Sequence, residues 1–267
     1  MPYRIESHID QQNHLRCHQP ERHYIDELTR RGGALTLDNV IVDVEQIILR
    51  SFQCDTRECL RTTGVGADKR FKGSCCTDLQ IDLTDVEVAR MRQLGRLASQ
   101  TLKLAASDPL SAIVRRLGAG DFTEKNERGE RMIKHLPSGR CPAGWIDKDA
   151  ALRCGLNTLC ERLALPLTHY KSGPCFLFPL HTVEHAPGAY FLTLLCKATY
   201  EWVGSHVIVA RLRCLCKPPP GAPPAYMALK DEIILCFGEN FYHDLACEAK
   251  AILKTRAEQQ ALEPAAR

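Results

Sequence analysis

The sequence lacks any long apolar stretch. No run approaches the length of about 18 apolar residues that a transmembrane helix needs. The first 20 residues, MPYRIESHIDQQNHLRCHQP, also lack the apolar core that a secretory signal peptide requires. We therefore expect no membrane partner and a cytoplasmic location.

An excess of charge of one sign is also missing. The 267 residues carry a net charge of +3, with acidic and basic side chains interspersed, so the composition does not favour nucleic acid as a partner. The glycine-rich loops that hold phosphates or dinucleotides are absent, as is the G-x-S-x-G motif of serine hydrolases. Whether the chain is an enzyme therefore stays open.

Cysteine is abundant, with 14 residues in the chain. A chain of this length can bury a core without disulfides, and clustered cysteines in a reducing cytosol are more often metal ligands or catalytic groups than bridges. Four of them, Cys54, Cys59, Cys75 and Cys76, lie within 23 positions. Such thiolates can hold zinc or an iron–sulfur cluster. The alternative is a set of ordinary buried thiols, since free cysteine is among the most buried residue types.

The order of four short motifs along the chain is more specific than the spacing of any one. FQCD begins at Phe52 and GSCC at Gly73, and they are followed by CGLN from Cys154 and PCFLFP from Pro174. This order resembles the YkgJ-type cysteine-cluster family, whose members are described as zinc- or iron-chelating proteins. The resemblance covers roughly residues 37–200, although the 15 residues between Cys59 and Cys75 exceed the family's usual spacing.

The resemblance implies a set of metal ligands. Carried over position by position, they are Cys54, Cys59, Cys75, Cys76, Cys141, Cys154, Cys175 and Cys196. Eight thiolates suit two four-cysteine sites or one larger cluster. Thiolates bind both zinc and iron–sulfur clusters, and we expect zinc as the cofactor, with iron or an iron–sulfur cluster as the alternative.

Three functions follow from such a site, of which we favour the first and keep the other two as alternatives. The first is a metal-binding protein of unassigned activity, with structural sites and a possible protein partner or substrate. The second is a metal- or cluster-dependent modifying enzyme with protein-methylase-like activity, because some relatives of the family resemble flagellin lysine methylases. The third is a protein that stores or transfers metal.

The predicted fold class is α+β, a single cysteine-rich metal-binding domain with a C-terminal helical region. Residues 1–36 form a polar, histidine-rich arm, residues 37–216 the metal-binding domain, and residues 217–267 a proline-rich linker with C-terminal helices packed on that domain. A capping box at Thr84 predicts a helix to about Ala106. Residues 173–181 are expected to be extended, and residues 190–202 to contain a strand. Helical patterns place the side chains of Cys160, Cys236 and Cys247 in the core.

Overall fold

A computed structural model of the chain describes residues 19–54, 81–127, 129–149, 151–196, 198–199, 202 and 218–262. These residues divide into two compact units. Unit 1 contains the described residues up to Cys54 and those from Leu177 onward, and unit 2 contains the described residues from Ile81 to Phe176. The predicted bounds at 36 and 216 stay predictions.

Helices and strands both occur along the described chain, which agrees with the expected α+β class. The strands are β1 (Ala34–Leu37), β2 (Val40–Asp43), β3 (Thr123–Lys125), β4 (Arg131–Ile133), β5 (Gly144–Ile146), β6 (Leu152–Cys154), β7 (Leu180–Ala186) and β8 (Ala189–Leu194). The α-helices are α1 (Gln19–Arg30), α2 (Asp85–Thr101), α3 (Pro109–Ala119), α4 (Gly155–Arg162), α5 (Leu167–Tyr170), α6 (Gly173–Leu177), α7 (Ala225–Ala228) and α8 (Lys230–Leu262). A π-helix occupies Val44–Leu49.

Unit 1 is built on a four-stranded sheet in the order β1-β2-β8-β7. The chain-neighbour pairs β1–β2 and β7–β8 are antiparallel hairpins, whereas β2 and β8 are parallel. Apolar, β-branched and aromatic side chains on the central strands are fully buried, including Val40, Val42 and Phe191. The strand predicted within residues 190–202 is therefore confirmed as β8.

Helices cover this sheet with apolar side chains at helical spacing. Ile25 and Leu28 of α1 pack in one cluster with Val183 and Phe191 of the sheet. At the C-terminus, α8 buries Phe237 and Leu245 on one side, and its helical backbone is interrupted at Gly238, where φ is 88°. The predicted C-terminal helices are present as α7 and α8.

Unit 2 is organised around the packed pair of helices α2 and α3. Thr84 caps α2 by the predicted capping box, and the helix ends at Thr101, five residues before the expected end. Leu94 of α2 and Leu110 of α3 are fully buried in a core that α4 joins through Leu159. The hairpins β3–β4 and β5–β6 complete the described part of this unit.

Two local predictions are wrong. Residues 173–177 were expected to be extended but form α6, because proline is tolerated in the first turn of a helix, where its missing N–H is not needed. Cys247 was expected in the core but lies exposed on α8, whereas Cys160 and Cys236 are buried as predicted. Among the described helices, none combines the length and apolar character that crossing a membrane would require.

Candidate thiol site

Three of the predicted ligands come from separate segments of unit 2. Cys141 lies in the tight turn before β5, where its carbonyl oxygen accepts a hydrogen bond from the Gly144 N–H at 2.9 Å. Cys154 ends β6 and stands directly opposite Gly144. Cys175 lies in α6. All three side chains are partly buried and pack against the apolar core of the unit.

The thiols of Cys141, Cys154 and Cys175 are close enough to interact electrostatically. Burial raises the pKa of the Cys141 thiol to about 12, and negative charge on Cys175 and on Cys154 raises it further. Burial also raises the pKa of Cys160 to about 11, with a smaller contribution from Cys154. Without a cation, the thiols of Cys141 and Cys160 are therefore held in the neutral form.

Cys154 has a second feature that suits a thiolate. It is the N-cap residue of α4, and its side chain makes no capping hydrogen bond to the first turn. The N–H groups at a helix N-terminus lack intrahelical partners and carry partial positive charge, which stabilises a nearby thiolate. Cys154 thus lies at the N-terminus of α4.

Buried polar atoms without partners occur beside each of these cysteines. Within the part of the chain that the structure describes, they include Arg140 Nε, Trp145 Nε1, Asn157 Oδ1 and Ser172 Oγ. Arg140 precedes Cys141, Asn157 follows Cys154 by three residues, and Ser172 precedes Cys175 by three. Most buried polar atoms in proteins are paired, so these four atoms are available as donors or acceptors to a group bound at this place.

Helix α6 is fixed to α2 by Glu87. Its Oε2 completes the capping box by accepting from the Thr84 N–H at 2.8 Å, while its Oε1 accepts from the Gly173 N–H at 3.0 Å. The sequence indicated the capping box but gave no signal of the second contact. One side chain therefore connects the start of α2 to the helix that carries Cys175.

The three thiols do not by themselves form a metal centre. Among the described residues, no three His, Cys, Asp or Glu side chains form a group that could hold a metal ion. Cys141, Cys154 and Cys175 are therefore neighbours whose side chains are not arranged as a complete ligand set. A centre at this place needs further ligands and adjustment of these side chains.

The remaining predicted ligands lie elsewhere or outside the described residues. Cys196 belongs to unit 1, where its fully buried Sγ donates to Gln46 Oε1 at 3.1 Å and accepts from the Thr199 hydroxyl at 3.6 Å. Cys54 is exposed at the end of the first described segment of unit 1. Cys59, Cys75 and Cys76 fall outside the described residues.

Unit 1 also contains a buried carboxylate, that of Asp43, which the sequence did not single out. Asp43 Oδ2 accepts from the Tyr24 hydroxyl at 2.7 Å and from the Thr193 hydroxyl at 2.8 Å, and Oδ1 accepts from the Gln46 N–H at 3.1 Å. Burial nevertheless raises the pKa of Asp43. With both oxygens engaged by protein donors, this group stabilises the packing of α1 on the sheet and leaves no free acceptor for a ligand.

Comparison with known proteins adds no relative to this description. No family model matches the chain, and neither the curated proteins nor the solved structures contain a match. The resemblance to the YkgJ-type cysteine-cluster family therefore stays a prediction based on the order of the cysteine motifs.

Proposed function

We propose that this chain is a metal-binding protein that holds zinc through cysteine thiolates, with Cys141, Cys154 and Cys175 of unit 2 among the ligands. The observation that carries the proposal is the proximity of these three thiols, which come from three separate segments. The charge interaction of Cys141 with both Cys154 and Cys175 supports this grouping.

A bound cation accounts for features that ordinary core thiols leave unexplained. Neighbouring thiolates repel one another, and a divalent metal removes that repulsion while allowing each ligand to lose its proton. Ordinary core packing also gives no reason for unpaired buried atoms such as Asn157 Oδ1 and Ser172 Oγ. Groups of this kind orient metal ligands from the surrounding shell.

Zinc takes four ligands, so three thiolates leave one position open. The candidates that the sequence supplies are Cys59, Cys75 and Cys76. Cys196 is a weaker candidate for this centre, because its Sγ already donates to Gln46 within unit 1. Iron or an iron–sulfur cluster is the alternative occupant, since the same thiolates suit it.

The packing of the thiols against the core of unit 2 favours a structural role for the metal. A closed site with four thiolates stabilises a fold, whereas a catalytic zinc keeps one position for water or substrate. A modifying enzyme and a metal-transfer protein stay as alternatives. Metal that leaves readily while the fold survives would favour transfer, because stripping a structural metal unfolds its domain.

Elemental analysis of anaerobically purified protein tests the proposal. We expect stoichiometric zinc in the natural chain and in Cys247→Ser, which changes an exposed cysteine of unit 1, and strongly reduced zinc in Cys141→Ser and Cys154→Ser. Visible absorption would identify an iron–sulfur cluster in place of zinc. Less than about a tenth of an equivalent of both metals in the natural chain would overturn the proposal.

A further inference from the structure

Arg140 lies on the face of the β5–β6 hairpin that carries Cys154. Its Cγ and Cδ atoms are 3.2 and 3.5 Å from the position that a Cβ atom on Gly144 would occupy. Gly144 stands directly opposite Cys154, and residues directly opposite each other in an antiparallel pair project to the same face. The Cγ and Cδ atoms of Arg140 therefore occupy the space that a side chain at position 144 would fill. This space lies on the same face of the hairpin as the Cys154 side chain.

The guanidinium of Arg140 lacks a counter-charge in the described chain. Its Nε is buried without a hydrogen-bond partner, and no carboxylate among the described residues forms an ion pair with it. Burial lowers the pKa of Arg140, the charge of Arg116 lowers it further, and only Cys141 acts in the opposite direction. Arg140 is partly exposed, but its buried Nε is a donor without an acceptor, so a negatively charged group beside it would be stabilised.

Arg116 brings a second positive charge to the same place. Its Nη1 donates to the carbonyl oxygen of Pro142 at 2.6 Å, and Pro142 follows Cys141 in the chain. Two guanidinium groups thus flank Cys141, one from α3 and one from the turn that contains the cysteine. A zinc ion with three or four thiolates carries net negative charge, which is the charge that this pair would neutralise.

We propose that Arg140, with Arg116 beside it, is a positioning residue of the thiolate site, donating through Nε to a metal-bound cysteine sulfur and neutralising the charge of the metal–thiolate group. The inference rests on the proposed function. It assigns Arg140 no role as a ligand, because a guanidinium is a donor and cannot coordinate a cation.

Competition titrations with a chelator measure the affinity of the purified full chain for zinc, with cobalt as a spectroscopic probe. We expect Arg140→Gln to weaken zinc binding by about 10- to 100-fold, as loss of an outer-shell partner does. Arg140→Lys keeps the charge but loses the planar donor, so it should fall between Arg140→Gln and the natural chain. The thiolate-to-cobalt absorption bands should keep their positions in both variants, because the ligands are unchanged.

Arg153→Gln is the matched control. Arg153 is adjacent to Cys154 but opposite Trp145 in the hairpin, and it is exposed and paired with Asp147 at 2.6 Å. The substitution Arg153→Gln removes one positive charge, as Arg140→Gln does, but from the face of the hairpin opposite Cys154. It should leave zinc affinity within about threefold of the natural chain. Circular dichroism of the proteins at saturating zinc checks that each variant is folded.

The outcomes separate the two proposals. If the natural chain binds zinc and Arg140→Gln binds it equally well, the role of Arg140 is overturned while the metal site stands. Equal losses of zinc affinity in Arg140→Gln and Arg153→Gln would also overturn it. The loss would then depend on net charge and not on the position of Arg140. A natural chain that binds neither zinc nor cobalt overturns the proposed function and this inference with it.

Discussion

At the scale of single residues, the two units treat buried charge differently. Asp43 in unit 1 is fully buried, and both of its oxygens accept hydrogen bonds from protein donors. Arg140 in unit 2 has a buried Nε with no partner among the described residues. Buried polar groups that are fully hydrogen-bonded, such as Asp43, stabilise the fold. A buried donor without an acceptor, such as Arg140 Nε, is stabilised when a ligand supplies the acceptor. This contrast supports the proposal that the binding site lies in unit 2.

The pH dependence of stability tests the Asp43 network. Burial raises the pKa of Asp43 in the folded chain, while the hydrogen bond from Tyr24 lowers it. A raised pKa means that this carboxyl favours folding when protonated, and that its contribution is lost as pH rises through the folded pKa. The Tyr24 hydroxyl opposes that loss because it stabilises the ionised form.

Tyr24→Phe should therefore cost more at high pH than at low pH. We expect a loss of about 1 kcal/mol below the folded pKa of Asp43, rising towards about 2–3 kcal/mol above it, because hydrogen bonds to charged groups are the stronger ones. Denaturant unfolding across a pH range that spans this pKa provides the measurement. In an Asp43→Asn background, the same substitution should have a pH-independent effect, and a persisting pH dependence there would contradict the assignment.

At the scale of elements, the sequence predicted those parts that local interactions determine. The capping box at Thr84 and the buried cysteine at position 160 were readable because cap residues and helical periodicity act within a few positions. The segment from Gly173 was misassigned because its helical turn depends on Glu87, a residue far away in sequence that accepts from the Gly173 N–H. Proline on both sides of an aromatic stretch gave a local signal for extended backbone that this distant contact overrides.

The contact between α2 and α3 depends on a glycine and can be tested by substitution. A Cβ atom on Gly95 would lie 2.4 Å from the backbone nitrogen of Gly118 and 2.7 Å from Leu117 Cβ, so the helices would have to move apart. We expect Gly95→Ala to lower the free energy of unfolding by about 2–3 kcal/mol, the cost typical of overpacking.

Gly118→Ala is the matched control for this prediction. Gly118 lies in α3, the other helix of the same contact. A Cβ atom on Gly118 would lie 3.7 Å from its nearest neighbour, the carbonyl carbon of Gly95, which is an ordinary contact distance. Since alanine favours the helix over glycine, this variant should be neutral or more stable by up to about 1 kcal/mol. A similar gain in stability at the two positions would show that helix propensity, and not the close approach at Gly95, decides the outcome.

At the scale of the whole molecule, the sequence supplied the candidate ligands but not their grouping. The resemblance put eight cysteines in one list because motif order carries no information about which segments meet in space. The structure places Cys141, Cys154 and Cys175 in unit 2 and Cys196 in unit 1, where Gln46 accepts its thiol hydrogen bond. Which residues share a site depends on long-range packing, which a single sequence does not encode in any local pattern.

Hydrogen exchange with and without zinc tests this grouping across both units. A ligand that binds only the folded state stabilises it by about 2.7 kcal/mol at a free concentration 100 times its dissociation constant, so amides that exchange by unfolding of the bound unit should slow by about 100-fold. We expect that protection at the buried amides of α2 and α4 in unit 2. The amides of β8 in unit 1 should keep their rates, because the Cys196 thiol that follows that strand already donates to Gln46 within unit 1.

The amide of Cys196 provides the sharpest comparison in this measurement. It donates to the Thr199 hydroxyl at 3.0 Å, so its exchange reports on the turn that holds the Cys196 sulfur against Gln46. If zinc slows this amide as much as those of α4, then Cys196 takes part in metal binding and the predicted eight-cysteine set is favoured over a centre confined to unit 2. If zinc slows only unit 2, and Cys196→Ala leaves zinc affinity unchanged, the thiol of Cys196 serves the packing of unit 1 alone.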